Sequence, residues 1–176
     1  MQTTKAYIML VCATLFWAGN FMIGKYAFFT EIPPLSLVFY RWALVWIILL
    51  PFTYREIIKH KDTIFSNLPL LFFLGFTSVG LFNSFTYLSL VYTQVINASL
   101  FNTAIPAIII LLCFLFKVEK TNGFQILGLI ISVCGILAIV TKLNLNILLS
   151  LNFNKGDLIM IGGVITWGVY STLLKK

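Results

Sequence analysis

Between Asp62 and Lys117 the chain runs for 54 residues, 63–116, without one formal charge. A soluble domain of this size does not keep such a run, because Lys, Glu, Arg and Asp recur on every solvated face. One membrane crossing takes about 20 apolar residues, so the run is too long for one crossing and fits two, folded back as a hairpin. The chain is therefore read as an integral membrane protein. The alternation at a period of two that a membrane β-barrel needs is absent, which leaves an all-α, polytopic helix bundle.

Six transmembrane helices are predicted, over about Ala6–Gly24, Leu35–Phe52, Leu68–Leu90, Gln94–Phe116, Asn122–Thr141 and Asp157–Leu174. Each is long enough to cross about 30 Å at 1.5 Å per residue. Pro33 and Pro34 suit the start of the second. Lys5 ahead of the first apolar stretch could open a signal peptide. The stretch is long for one and further spans follow, so it is read as a retained helix. Composition agrees, at 60% hydrophobic, 10% charged and a mean hydropathy of +1.01. The net charge of +7 is scattered between apolar spans rather than gathered in a stripe, which argues against nucleic acid. Lys5, Arg55, Lys59, Lys61, Lys117, Lys120, Lys175 and Lys176 fall on one side of the bundle. Lys25, Lys142 and Lys155 fall on the other. The richer side is expected to be cytoplasmic, with the N-terminus inside and the connection at 91–93 outside.

Catalysis within the membrane would need acids, bases, a nucleophile or metal ligands there. No Asp, Glu or His falls mid-span, and His60 sits in a charged loop beside Lys59, Lys61 and Asp62. Cys12, Cys113 and Cys134 lie in apolar spans without metal-ligand spacing. An enzyme is not expected, nor a cofactor or metal. Polar groups inside the spans carry the remaining information. Arg41 lies about 9 Å into the second span at 1.5 Å per residue. An arginine at a helix centre costs about 2.5–3.5 kcal/mol on insertion scales. Its guanidinium fits a substrate carboxylate; equally, it could snorkel to the interface or pair with Glu31. Ser99, Asn102, Thr103 and Pro106 share one face of the fourth span. Pro106 cannot donate to the carbonyl of Asn102, which marks a hinge with either a solute-facing or a packing role. Trp17 and Asn20 share a face of the first span, as Gly80, Asn83 and Tyr87 do of the third. Cavity lining and helix packing are both open for these. Gly128 and Ser132 of the fifth span read as a packing pair.

At an offset of 150 residues the sixth span echoes the first: Trp17 falls on Trp167 and Lys25 on Lys175. Five crossings is an odd number, so a copy starting near Gly156 enters from the opposite face. That is an inverted-topology repeat, a plan common among secondary transporters. The expected organisation is a first five-helix repeat over 6–141, an external loop over 142–155, and the first helix of a second repeat over 156–176.

The motifs in their order resemble the EamA-type transporters of the drug/metabolite transporter superfamily. The resemblance rests on Phe16-Trp17-Ala18-Gly19-Asn20-Phe21 with Gly24-Lys25-Tyr26-Ala27, then Arg41-Trp42-Ala43-Leu44, then Tyr87-Leu88-Ser89-Leu90. Asn97-Ala98-Ser99-Leu100, Pro106, Glu119, Gln125 and Gly128 complete it. The resemblance implies ten helices in two inverted repeats, so this chain would be an incomplete half. It implies a secondary carrier of small organic metabolites, amino acids and related compounds among them, with export expected. The polar groups within the spans, Trp17, Asn20, Arg41, Asn83, Asn102 and Thr103, are grouped as the expected substrate-binding residues, with Pro106 as a structural hinge. Glu119, flanked by Lys117 and Lys120, reads as a plain salt bridge, and the resemblance makes it a conformational latch. The expected partners are the lipid bilayer of a bacterial inner membrane, a small-molecule substrate, and a homodimer mate or missing C-terminal half. The alternative is a truncated, non-transporting membrane protein or assembly partner.

Overall fold

The computed structural model describes residues 2–119, 122–140 and 154–175, and these are helical with no strand among them. The helices are α1 (Gln2–Phe29), α2 (Pro34–Lys59), α3 (Lys61–Ser66) and α4 (Leu68–Gly75). A π-helical segment, Phe76–Leu81, joins α4 to α5 (Phe82–Tyr92). Then come α6 (Val95–Asn102), α7 (Ile105–Leu115), α8 (Gly123–Val140) and α9 (Lys155–Leu173). Five stretches are long and apolar enough to cross a membrane: Thr4–Phe29, Pro34–Lys59, Leu68–Tyr92, Val95–Leu115 and Lys155–Leu173. The predicted fifth span is α8, whose apolar stretch among the described residues, Gly123–Gly135, is shorter. Most of the predicted loop 142–155 lies outside the described residues.

The long uncharged run folds as the expected hairpin, turning at Thr93–Gln94. Its first limb is not a plain α-helix. The segment Phe76–Leu81 inserts a wider turn, which rotates every later side chain relative to the 3.6-residue phase. Hydroxyls and an amide satisfy carbonyls around it. Thr77 Oγ1 donates to Phe73 O at 2.9 Å, Ser78 Oγ to Leu74 O at 2.7 Å, and Asn83 Nδ2 to the carbonyls of Ser78 and Val79, both at 3.1 Å. The second limb breaks at Thr103–Ala104, where Thr103 N and Ala104 N bond three residues back, to Leu100 O and Phe101 O. Pro106 follows as the start of α7, where its missing N–H is harmless.

The core sits where α1, α2, α5, α6 and α9 meet, in a cluster of Phe21, Val38, Tyr87, Leu90, Ala98, Phe101, Met160 and Val164. α9 is the interior helix: 39% of its apolar window is buried, against 6% for α1 and for α2. Small residues let it approach. A Cβ on Gly156 would lie 2.6 Å from Ser89 O, and one on Gly168 2.6 Å from Ile108 Cγ2. Without a hydrophobic force between helices in lipid, such close backbone approach is what holds spans together. The apolar side chains of α1 and α2 that stay exposed, such as Met9, Phe39 and Ile47, form the surface a bilayer solvates. Gly128 of α8, expected to pack, faces open space among the described residues.

Candidate functional site

α1, α2, the π-helical segment, α5, α6 and α9 enclose a cavity of about 270 Å³. Trp17, Asn20, Arg41, Asn83 and Asn102 line it, five of the six residues grouped from sequence as substrate-binding. Thr103 does not: its side chain is exposed and its hydroxyl donates to Leu100 O at 2.6 Å. The break at 103–104 turns it off the face it would share with Asn102 in an unbroken helix. The cavity also takes Trp42, Ser78, Val79, Phe82, Thr86, Trp167 and Tyr170. Phe82, Trp167 and Tyr170 form a continuous aromatic wall, with ring centroids 4.7 and 5.2 Å apart. Trp17, 65% exposed, stands at the lip.

Arg41 turns inward. Its Nη1 donates to Asn20 Oδ1 at 2.6 Å and to the Tyr87 hydroxyl, which itself donates to Asn20 Oδ1. The guanidinium also lies 5.3 Å from the Trp42 ring centroid and 5.8 Å from that of Tyr87. Among the described residues no carboxylate pairs with it, and Glu31, the partner weighed from sequence, is exposed at the end of α1. Both hydrogen bonds use neutral partners, so the cationic charge is oriented without being neutralised. Such a group in a low-dielectric site attracts an anion more strongly than the same group in water. Tyr87 itself is 2% exposed and is the residue that sequence reasoning passed over. Its presence on the face of Gly80 and Asn83 was the available signal, and it pointed to packing as much as to Arg41.

Two further polar atoms meet the site without a partner: Trp42 Nε1 and Asn102 Oδ1 are buried and unbonded. Buried polar groups are nearly always satisfied, by protein or by what occupies the space beside them. Asn83 has a double role, since its amide caps the π-helical segment while it lines the cavity.

The end of the bundle at the 93–94 turn is tied together by a polar cluster. Lys25 Nζ caps the C-terminus of α5, donating to Leu90 O at 2.7 Å and Thr93 O at 3.0 Å. Thr93 Oγ1 donates to Asp157 Oδ1 at 2.8 Å, and Asn154, the N-cap of α9, bonds Tyr92 O at 2.5 Å and accepts from Gly156 N at 3.1 Å. At the opposite end Lys175 Nζ donates to Glu119 Oε2 at 2.6 Å, an exposed pair whose hydrogen bond raises the lysine pKa above its usual value.

A bundle of apolar helices around a small, cationic, aromatic-walled cavity defines a polytopic membrane protein with a polar pocket in its interior. The chain belongs to the EamA-like transporter family, whose model matches residues 4–141. It is 32% identical over 178 residues to an uncharacterized transporter of Archaeoglobus fulgidus, with 99% of this chain and 59% of that protein aligned. It is 27% identical to the uncharacterized transporter YyaM of Bacillus subtilis, with 100% of this chain and 57% of that protein aligned. The chain thus spans less than two thirds of the length of either relative. No solved structure matches it.

Proposed function

We propose that the chain is part of a secondary carrier in the cell membrane that moves small organic metabolites through this cavity, with Arg41 binding the solute carboxylate. The observation that carries the reading is the state of Arg41: half-buried, bonded among the described residues to Asn20 and Tyr87 alone, and facing a cavity whose described lining holds no acidic residue. A charge in a membrane span normally pairs or serves a pathway. Export is the expected direction, and the names of the two relatives support a transporter.

The proposed organisation is a first repeat over 6–141 and the start of an inverted second one over 156–176, joined by 142–155. Trp17 and Trp167, matched at the 150-residue offset, converge on one cavity. Lys25 and Lys175, matched at the same offset, make their contacts at opposite ends of the bundle. Both facts support an inversion.

The test is transport and inserted protein measured on the same membranes. Arg41→Lys should impair transport nearly as much as Arg41→Ala, because an ammonium cannot reproduce the planar fork or its bond to Asn20. Normal transport by Arg41→Lys would sink the carboxylate role.

A further inference from the structure

Resting on the reading of Arg41 as a carboxylate site, we infer that the solute is a net anion: an aromatic monocarboxylate bearing a neutral hydrogen-bond donor, and not a zwitterion with an ammonium group. The groups around the cavity specify it part by part. Both hydrogen-bonding partners of Arg41 are neutral, so its guanidinium is left without a counter-ion, and among the described residues its Nε and Nη2 make no hydrogen bond. Trp42 Nε1, on the neighbouring residue, is a second buried donor without an acceptor. A carboxylate is acceptor-only and offers two oxygens, so it satisfies both. Asn102 Oδ1 is a buried acceptor without a donor, which calls for an O–H or N–H on the solute. The wall of Phe82, Trp167 and Tyr170 offers ring faces and edges to a flat apolar body.

An ammonium would fit this site badly. It carries three donors and a charge, and Asn102 Oδ1 can accept only one of those donors, which leaves the others and the charge unmatched once it leaves water. None of the lining residues is acidic, and the nearest charge is the like charge of Arg41. Ring faces remain as the rival partner through cation–π attraction, and that rival predicts the opposite order of affinities.

Trp17, Trp42 and Trp167 line the cavity, so solute binding can be read from tryptophan emission without any transport step. Trp46, 63% exposed, is replaced in a Trp46→Phe background to remove its signal. The full chain in lipid nanodiscs is titrated with 3-phenyllactate, 3-phenylpropionate, 3-phenylpropanol, phenylalanine and lactate. The expected order places 3-phenyllactate first, with phenylalanine at least ~10-fold weaker, because an unmatched buried polar group is strongly discriminated against. Arg41→Met should erase the preference for the acid over the alcohol. Asn102→Ala should erase the preference for 3-phenyllactate over 3-phenylpropionate. Trp42→Phe keeps an aromatic side chain but removes the N–H together with part of the indole, and should weaken both acids alike, so the inference stays testable if Asn102→Ala fails to fold. Phenylalanine binding as tightly as 3-phenyllactate, still dependent on Arg41, overturns this inference and leaves the carboxylate site standing. No Arg41-dependent binding by any acid overturns both.

Discussion

Tyr87 is set by a glycine on another helix. An ideal Cβ on Gly24 would lie 2.5 Å from Cδ1 and Cε1 of the Tyr87 ring, so only glycine lets the ring reach Arg41 and Asn20. Gly24 touches no solute in this reading, yet Gly24→Ala should displace the ring. The expected results are weaker solute binding and destabilisation of about 1–3 kcal/mol, the usual range for overpacking. Gly162→Ala is the control. Its Cβ would meet Phe85 at an ordinary 3.7 Å, and alanine is the better helix former, so stability should hold or rise by up to about 1 kcal/mol. Thermal unfolding in detergent, with solute quenching on the same samples, checks both. Equal behaviour of the two variants would show that the ring contact does not matter.

Among the elements, α9 depends on its first turn. Asn154 caps the helix and ties it to Tyr92, while Asp157, 5% exposed, relies on the Thr93 hydroxyl. Loss of an N-cap costs about 1 kcal/mol. Loss of a hydrogen bond to a buried charged group costs about 1.5–3 kcal/mol. Thr93→Val, nearly isosteric, should therefore destabilise the bundle more than Asn154→Ala. The reverse order in unfolding titrations would place the anchor of α9 elsewhere. The opposite end behaves differently, because Lys175 and Glu119 are exposed. Since the lysine pKa is raised, the pair contributes below the ordinary lysine range and is lost only as pH rises through the raised value. It should weaken with salt and be insensitive to pH from 6 to 9, as measured by cross-linking cysteines placed beside the two residues.

For the whole molecule the open matter is orientation. The end carrying Lys5, Arg55, Lys59, Lys61, Lys117 and Lys175 holds more basic residues than the end carrying Lys25 and Lys155, and we propose from the positive-inside tendency that it is the cytoplasmic end. On this proposal the 93–94 turn faces outward. Single cysteines at His60 and Gln94 should show Gln94 labelled by an impermeant reagent in intact cells and His60 labelled only after lysis. The reverse pattern would invert the proposed topology.

The solvent, the helical class, the hairpin and the family were legible in the residues themselves, because an uncharged run of this length has no other stable form and because motif order is a property of the chain. So was much of the cavity's polar lining: an arginine within a span and scattered asparagines stand out against an apolar background whatever they contact. What required the tertiary structure was direction. A helix presents every face, and nothing local says whether Arg41 rises to the interface or turns to Asn20 and Tyr87. Nor could local pattern foresee that a π-helical segment would rotate the third span, or that a break would carry Thr103 away from Asn102. These depend on which neighbours satisfy the freed carbonyls. Trp167 and Tyr170 joined the site for the same reason. They lie in the sixth span, set apart in sequence as the start of another repeat, and the close approach that Gly156 and Gly168 permit brings α9 against α5 and α7.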